Sequence, residues 1–485
     1  MNPVTATLAL ARRNSNGLLV LVCLAQYMVI LDVSIVNVAL PAIHDDLGFS
    51  ATGLQWVVNA YTLTFAGFLM LGGRASDLLG RRRVFLGGTA LFVFASLTCA
   101  AAGSQAVMLG ARALQGLGAA IISPASLSIL ATSFDEGRDR NRALGVWGAM
   151  AGLGGSSGVL FGGALTQGVG WPAIFLINVP IGLTVMLLGR RIIPEGRSEG
   201  IGRHFDAAGA ILVTAGLTAL VYGIVSTDTL SWGSPGVLVP IAVATVLLAL
   251  FALVEGRLSP DPLIPLKIFR MPRLRSANLV IVLLYSGFFA MWFFLSLYLQ
   301  QVHHEGALET GVSFLPMTLA IVLASSVAPR LVARFGVRNM MSAGMLFVTA
   351  GLALFSTLDP VSSYWTLFLP AGLLAAVGLG FSLVPATIAA VQGVPPTQSG
   401  LASALVNTSR LFGGALGLAV LSTLATSRAH SKLADGVGTL QATTDGFQVA
   451  FAVGAALCLL GAIAAATLMG RRAEPSIAFA EERAT

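Results

Sequence analysis

Residues 73–83 read Gly-Arg-Ala-Ser-Asp-Leu-Leu-Gly-Arg-Arg-Arg and lie between two long apolar stretches. A segment with this many charged side chains cannot lie in hydrocarbon, because polar groups without partners there cost several kcal/mol each. We therefore predict a tight turn between two membrane-spanning helices at a membrane surface. Its three consecutive arginines predict the cytoplasmic surface, since short cytoplasmic loops collect Lys and Arg.

The composition of the whole chain is that of a polytopic membrane protein. Of its 485 residues, 56% are hydrophobic and 10% are charged, whereas a soluble domain carries about 25% charged residues. The net charge of +7 is explained by basic residues in short loops, so we expect no nucleic-acid partner. The three cysteines lie within apolar runs and lack metal-binding spacing, so we expect no metal site: Cys23, Cys99 and Cys458.

Fourteen apolar stretches of about 20 residues each predict an all-α integral membrane protein with fourteen spans. An even number puts both termini on one side. With that side cytoplasmic, most Lys and Arg become cytoplasmic and the outer loops become acidic, although Arg428 and Lys432 fall in an outer loop. The stretches, called span 1 to span 14, lie near 17–40, 53–72, 83–102, 106–130, 143–165, 172–192, 207–226, 236–255, 276–300, 311–329, 339–358, 363–388, 399–425 and 447–469.

An internal repeat divides these spans into two halves. Residues 329–339 repeat the loop 73–83 in weaker form, so that Gly80 corresponds to Gly336. Spans 5 and 13 match in the spacing of their glycines. Two six-span halves in the same orientation, with spans 7 and 8 inserted between them, explain both matches. The predicted divisions are 1–193 for the N-terminal half, 194–272 for the inserted spans and their linkers, 273–470 for the C-terminal half, and 471–485 for a cytoplasmic tail.

Asp32 is the only carboxylate deep in a predicted span. An ionised acid there costs several kcal/mol unless it is paired or faces water, so intramembrane acids indicate functional sites by default. Arg112 in span 4 is the matching cation, because opposite charges in neighbouring helices offset part of each other's desolvation cost. Proton uptake and release at Asp32 is therefore the predicted chemistry. The alternative is an acid at a helix end and an arginine that snorkels to the surface.

Further residues predict a substrate cavity between the halves. One face of span 9 carries aromatic side chains, which either bind flat apolar or cationic molecules or pack against lipid. Arg410 in span 13 either binds an anionic group or pairs with backbone carbonyls. The predicted cavity residues are Gln26, Asn59, Tyr285, Phe289, Trp292, Asn407 and Arg410.

Five segments together resemble the drug:proton antiporters with fourteen spans, a group of the major facilitator superfamily. The loop 73–83 resembles the signature loop between helices two and three of the superfamily. Residues 31–41 resemble the group's first-helix motif, residues 112–119 its helix-four motif, and residues 148–163 its helix-five antiporter motif. The sequence Asn-Val-Pro-Ile-Gly at 178–182 is also typical of the group.

This resemblance implies roles for particular residues. Asp32 and Arg112 would couple transport to protons, and the 73–83 loop would act as a gate that stabilises the outward-facing state. The implied gate residues are Gly73, Asp77, Gly80, Arg81 and Arg82. The residues implied to seal and bend span 5 are Gly154, Gly158, Gly162 and Gly163. Val159 departs from the group, which usually has proline there.

The resemblance implies a proton-coupled efflux transporter for hydrophobic or amphipathic small molecules, antibiotics among them. Such a protein would be a monomer in the bacterial cell membrane, would use no cofactor and would not be an enzyme. An exporter or importer of one specific metabolite with the same fold is the alternative.

Overall fold

The structure is a computed structural model that describes residues 3–50, 52–134, 138–195, 206–227, 230–259, 262, 266–392, 394 and 399–469. Its described part is helical throughout and contains fourteen helices long and apolar enough to cross a membrane, which confirms the predicted number. The helices of span 1 to span 14 are, in order, Pro3–Leu47, Gln55–Leu79, Arg81–Ala100, Gln105–Ser133, Arg138–Gly168, Ala173–Leu176 with Asn178–Ile192, Ala207–Ser226, Pro235–Leu253, Pro272–Leu297, Ala307–Ser313 with Leu315–Phe335, Val337–Phe355, Leu369–Val391, Ser399–Ala434 and Thr439–Leu468.

Three spans continue beyond these α-helical bounds through one π-helical turn, and a short 3₁₀ helix at Leu266–Arg270 precedes span 9. The π-helical turns are Val254–Leu258, Tyr298–Val302 and Tyr364–Phe368. Span 12 continues unbroken past Pro385. Neighbouring helices thus accommodate a proline that interrupts the sequence pattern.

The loop between spans 2 and 3 turns at Gly80, which has a φ of 104°. The weaker copy of this loop, between spans 10 and 11, turns at Gly336 with a φ of 82°. Residues with a side chain rarely adopt positive φ angles, so both turns require glycine. The two copies of the loop therefore both turn at a glycine with positive φ, at equivalent positions. The surface formed by these two turns is called the arginine-rich face below.

Each half contains the same helix pairing. Span 5 packs against span 1 in the N-terminal half, and span 13 packs against span 9 in the C-terminal half. In each pair a serine hydroxyl of one helix donates to a glycine carbonyl of the other at 3.1 Å, from Ser34 to Gly154 and from Ser286 to Gly413. Small residues at these contacts let the helix backbones approach closely.

Spans 7 and 8 form a hairpin beside the two halves. Span 7 contacts both span 2 and span 13, whereas span 8 packs mainly on span 7. Apolar side chains join the three helices in a small cluster, and the rings of Trp56 and Tyr222 lie 6.4 Å apart. The buried members of the cluster are Leu63, Val221, Ala415 and Ala419. The inserted hairpin thus covers the seam between the halves where spans 2 and 13 meet.

One predicted loop is wrong. Span 13 was expected to end near residue 425, but its helix continues to Ala434 and includes Arg428 and Lys432. The Nζ atom of Lys432 lies 4.0 Å from a carboxylate oxygen of Asp445 on span 14. Hydropathy predicts only the part of a helix that lies in hydrocarbon, and polar residues extend this helix beyond it.

Candidate functional site

Asp32 and Arg112 form an ion pair in the interior of the N-terminal half. The Nη1 atom of Arg112 lies 2.6 Å from Oδ2 of Asp32, and the exposed fractions of the two side chains are 1% and 0%. This contradicts the alternative in which Asp32 reaches the outer aqueous layer and Arg112 snorkels to the surface. Removing one partner of such a buried pair typically costs about 3–5 kcal/mol, because an uncompensated charge remains.

Two amide side chains complete the coordination of the Asp32 carboxylate. Gln115 donates from Nε2 to Oδ1 at 2.6 Å, and Asn178 donates from Nδ2 to the same oxygen at 2.9 Å. Gln115 also accepts from Nη1 of Arg112 at 2.7 Å and donates to the hydroxyl of Ser96 at 2.8 Å. The carboxylate therefore accepts three hydrogen bonds, which is the arrangement that stabilises an ionised acid away from water.

Arg112 also has contacts of its own with span 2 and span 6. Its Nε donates to the backbone carbonyl of Val57 at 2.8 Å, and its guanidinium carbon lies 4.5 Å from the ring centroid of Tyr61. The ring of Phe175 lies 5.8 Å away. Through these contacts the network joins spans 1, 2, 3, 4 and 6, so the charged site is built into the packing of one half.

No individual role was predicted from the sequence for Gln115, Asn178 or Ser96. A signal for Gln115 was present, since it lies three residues after Arg112 and so shares its helix face. Asn178 lies in an otherwise apolar segment of span 6, where a buried amide needs a hydrogen-bond partner. Nothing local indicated Ser96, whose hydroxyl joins the network only because span 3 packs against span 4.

The glycines of span 5 face two different partners. A methyl group at Gly154 would lie 2.9 Å from Cβ of Ile30, and one at Gly162 would lie 2.7 Å from the carbonyl oxygen of Ile35. Gly158 faces Ser34 on the same helix, span 1. Gly163 instead faces Ala307 and Leu308 at the start of span 10. Three glycines therefore seat span 5 on span 1, and Gly163 allows contact with the opposite half.

The two halves touch each other at the face opposite the arginine-rich face. Pro41 has no N–H group, which deprives the carbonyl of Asn37 of its partner within the helix of span 1. The hydroxyl of Ser296 on span 9 donates to this carbonyl at 2.7 Å. Gln300 donates to the carbonyl of Val38 at 3.0 Å one turn further on. The proline thus frees an acceptor that the other half uses.

A third contact closes the same face between spans 5 and 10. The backbone N–H of Leu308 donates to Oε1 of Gln167 at 3.1 Å. Together with the contacts of span 9 on span 1, it holds the two halves against each other at this face.

The predicted gate residues lie at the arginine-rich face. Gly73 packs against Pro124 of span 4, and Gly80 forms the turn. Arg82 forms an ion pair of 2.8 Å with Glu195, an acid that follows span 6 and that the sequence analysis did not select. The side chain of Asp77 lies outside the described residues, and Arg81 has at least one interaction partner.

The predicted cavity residues of the C-terminal half lie together on spans 9 and 13. Tyr285, Phe289 and Trp292 are half-buried on one face of span 9, and the guanidinium carbon of Arg410 lies 5.2 Å from the ring centroid of Tyr285. Asn407, one turn before Arg410 on span 13, is half-buried as well.

The two predicted cavity residues of the N-terminal half are more enclosed. Gln26 is 6% exposed, and Asn59 is 0% exposed with its Nδ2 at 3.5 Å from Oε1 of Gln55. Asn59 therefore lies in packed interior in this conformation and does not line an open surface. Among the described residues no group of three or more His, Cys, Asp or Glu is arranged to hold a metal ion.

Fourteen spans, a buried charged pair and hydrogen bonds that join spans 9 and 10 to spans 1 and 5 are features of a membrane transporter. The sequence profile of the Major Facilitator Superfamily matches residues 22–418 and 317–485. The chain belongs to this superfamily.

Relatives and solved structures agree with this assignment. The chain is 41% identical to the cephamycin export protein CmcT of Amycolatopsis lactamdurans, over 90% of each chain. It is 39% identical to the puromycin resistance protein pur8 of Streptomyces alboniger, over 94% of this chain and 92% of that one. A crystal structure of an auto-inhibited peptide transporter of the POT family superposes with a TM-score of 0.68 at 17% identity, over 96% of this chain and 99% of that one. That likeness shows the fold alone.

Proposed function

We propose that this protein exports hydrophobic or amphipathic small molecules, antibiotics among them, in exchange for protons. The arginine-rich face would lie in the cytoplasm of a bacterial cell. The observation that carries the proposal is the enclosed pair of Asp32 and Arg112 with its two amide partners. The export and resistance functions in the names of the relatives support the direction of transport.

The geometry of the pair explains how a proton would act on the protein. A proton on Oδ2 of Asp32 would remove the acceptor for Nη1 of Arg112, leaving a buried cation without its counter-charge. Such a charge is costly, so protonation would favour a conformation in which Arg112 is better solvated. Because the network joins five spans, movement of these side chains would be transmitted to the packing of the whole N-terminal half.

Alternating access would then follow from the contacts between the halves. In the described conformation Ser296 and Gln300 hold span 9 against span 1 at the face that would be extracellular. Release of substrate outside requires these contacts to break while the arginine-rich face closes. The proton gradient would supply the energy, with no cofactor and no enzymatic step, and a monomer would be sufficient.

Purified protein in liposomes provides the direct test. A pH gradient is imposed across the liposome membrane, and uphill movement of ethidium, fluorescein and puromycin is followed for the unmodified protein. Asp32→Asn should abolish gradient-driven transport when equal amounts of folded, reconstituted protein are compared, since loss of the carboxylate also destabilises the buried pair. The matched control is Asp45→Asn, which changes an exposed acid near the end of the same helix and should retain transport.

Two results would contradict the proposal. Uphill transport by Asp32→Asn at the unmodified rate would remove Asp32 from the coupling mechanism. The absence of gradient-dependent transport for every compound, in liposomes and in a susceptibility panel with and without a protonophore, would exclude drug:proton exchange altogether.

A further inference from the structure

We propose that Arg410 binds the anionic group of the substrate, so that the preferred substrates are amphipathic organic anions with a flat apolar body. This inference rests on the proposed function and names the substrate class of the same transport path. It selects one of the two alternatives that the sequence left open for Arg410.

The position of Arg410 excludes a purely topological role. It lies eleven residues after Ser399, where the helix of span 13 begins, which is about 16 Å along the helix axis. The candidate membrane-spanning part of this helix is Ala404–Ala434, so Arg410 lies about 9 Å inside it along the helix axis. An arginine at such a depth is expensive unless it faces the bundle interior or a water-filled path. Arg410 does face the interior, because its guanidinium lies over the ring of Tyr285.

Around Arg410, side chains of span 13 pack against aromatic rings of span 9 at successive helical turns. Arg410 lies beside Tyr285, and one turn further on Gly414 lies beside Phe289, where an added methyl group would come within 2.9 Å of Cγ of the ring. Tyr285 holds the guanidinium by a cation–π contact, which leaves its N–H groups available. Within the described part of the chain, the structure gives the Arg410 guanidinium no acidic partner, and its side chain is half-buried.

The other deep charges do not balance Arg410. Asp32 is the acid at comparable depth among the described residues, and it is 0% exposed and already accepts three hydrogen bonds. Arg112 is enclosed with it. Among the described residues, the half-buried Arg410 therefore has no acidic counter-charge. A carboxylate or sulfonate of the substrate would supply that counter-charge and would form charge-assisted hydrogen bonds with the guanidinium.

The aromatic face of span 9 accounts for the apolar part of the ligand. Phe289 and Trp292 follow Tyr285 by one and two turns and are half-buried like it. Trp292 is held edge-on to Phe314, with ring centroids 5.0 Å apart. Held aromatic rings provide stacking surfaces for a flat molecule. A ligand with its anion at Arg410 would extend its apolar body along this face.

Three probes with one apolar body test the charge preference. They are pyrenebutyrate, pyrenebutanol and pyrenebutylammonium, which are anionic, neutral and cationic at pH 7.5. Binding to the purified full-length protein in detergent is measured by energy transfer from tryptophan to pyrene. The unmodified protein should bind pyrenebutyrate at least about tenfold more tightly than the other two probes. Equal affinities, or a preference for the cation, would overturn the proposal without using any variant.

Variants then assign the preference to one side chain. Arg410→Gln should lower the affinity for pyrenebutyrate about tenfold and leave the affinity for pyrenebutanol unchanged, which also shows that the variant is folded. Arg410→Lys should retain most of the preference because it retains the charge. The matched control is Arg428→Gln, an exposed arginine on the same helix, which should bind as the unmodified protein does. An unchanged preference in Arg410→Gln would overturn the assignment to Arg410.

The outcome is separable from that of the proposed function. Proton-driven transport of cationic or neutral compounds alone would contradict the anion site and leave the exporter intact. Tight binding of pyrenebutyrate without gradient-driven transport of any compound would support the site and contradict the exporter.

Discussion

Gln115 donates a hydrogen bond of 2.6 Å to Oδ1 of Asp32 while its own carbonyl oxygen accepts from Arg112 at 2.7 Å. One amide therefore contacts both charges of the buried pair and fixes their relative position. Because Gln115 and Arg112 are three residues apart on span 4, this position depends on the helix and not on a mobile loop. We expect Gln115 to be a positioning residue for the proposed proton exchange.

Replacement of Gln115 tests this role. Gln115→Leu removes a donor from Asp32 and an acceptor from Arg112 with little change in volume, and each lost partner of a charged group costs about 1–3 kcal/mol. We expect gradient-driven transport to fall about tenfold and its dependence on pH to change. The control is Gln105→Leu, since Gln105 contacts the carbonyls of Leu47 and Gly48 at an exposed site. Unmodified rates and pH dependence in Gln115→Leu would contradict the role.

The contact of span 5 with span 1 predicts a stability difference between two neighbouring glycines. Gly158 faces Ser34, so Gly158→Ala should force the helices apart and lower the free energy of unfolding by about 1–3 kcal/mol. Gly155→Ala is the matched control, because nothing lies within 4 Å of its added methyl group. Thermal unfolding in detergent measures both variants. Equal melting temperatures would show that span 5 is not seated on span 1 in this way.

The hydrogen bond from Ser296 to Asn37 predicts a shift between conformations. Ser296→Ala leaves the Asn37 carbonyl without a donor from either helix, because Pro41 supplies none. The loss of one hydrogen bond is worth roughly 1 kcal/mol, which should raise the population with this face open about fivefold. Spin labels at the exposed Val169 and Val361 report the distance between the halves by double electron–electron resonance spectroscopy.

The control for that measurement is Ser356→Ala, since the Ser356 hydroxyl bonds to Ala353 within its own helix. Its distance distribution should match that of the unmodified protein. A distribution in Ser296→Ala that is identical to the control would show that this hydrogen bond does not hold the face closed.

Glu305, in the loop between spans 9 and 10, predicts a dependence of stability on pH. Burial and the nearby Glu309 raise the pKa of this carboxyl above its ordinary value of 4.5. The folded protein thus holds this proton more tightly than the unfolded chain. The resulting stabilisation is full below pH 4.5 and is lost as the pH rises through the folded-state pKa.

Glu305→Gln cannot ionise, so it should not lose stability as the pH rises through the pKa of Glu305 in the folded protein. We expect its melting temperature to exceed that of the unmodified protein at pH 7.5, with the difference shrinking toward pH 4.5. His303 acts in the opposite direction, because burial and His304 lower its pKa, so its contribution is lost as the pH falls below 6.5. Both the unmodified protein and Glu305→Gln contain His303, so the difference between their melting temperatures is free of the His303 effect. The exposed acid Asp435, changed to Asn, serves as the control and should show no such difference.

The topology could be read from the sequence because it depends on local properties. A run of about 20 apolar residues crosses a membrane whatever lies beside it, and a charged segment such as 73–83 must turn at its surface. The positive φ angles at Gly80 and Gly336 follow from the same repeat. The pairing of Asp32 with Arg112 was also predictable, because two lone charges in hydrocarbon must find each other or reach water.

Contacts between uncharged residues, which carry no large cost of burying a charge in hydrocarbon, were decided only by the tertiary structure. Nothing in the sequence relates Ser296 to Asn37, since they are 259 residues apart and meet only when the two halves assemble. Ser96 joins the charged network and Gly163 faces span 10 for the same reason. The aromatic face of span 9 could have pointed to lipid, and the packing of Gly414 on Phe289 turned it inward. Hydropathy therefore determined which segments cross the membrane, whereas close packing of small and polar side chains determined which faces meet and what the site contains.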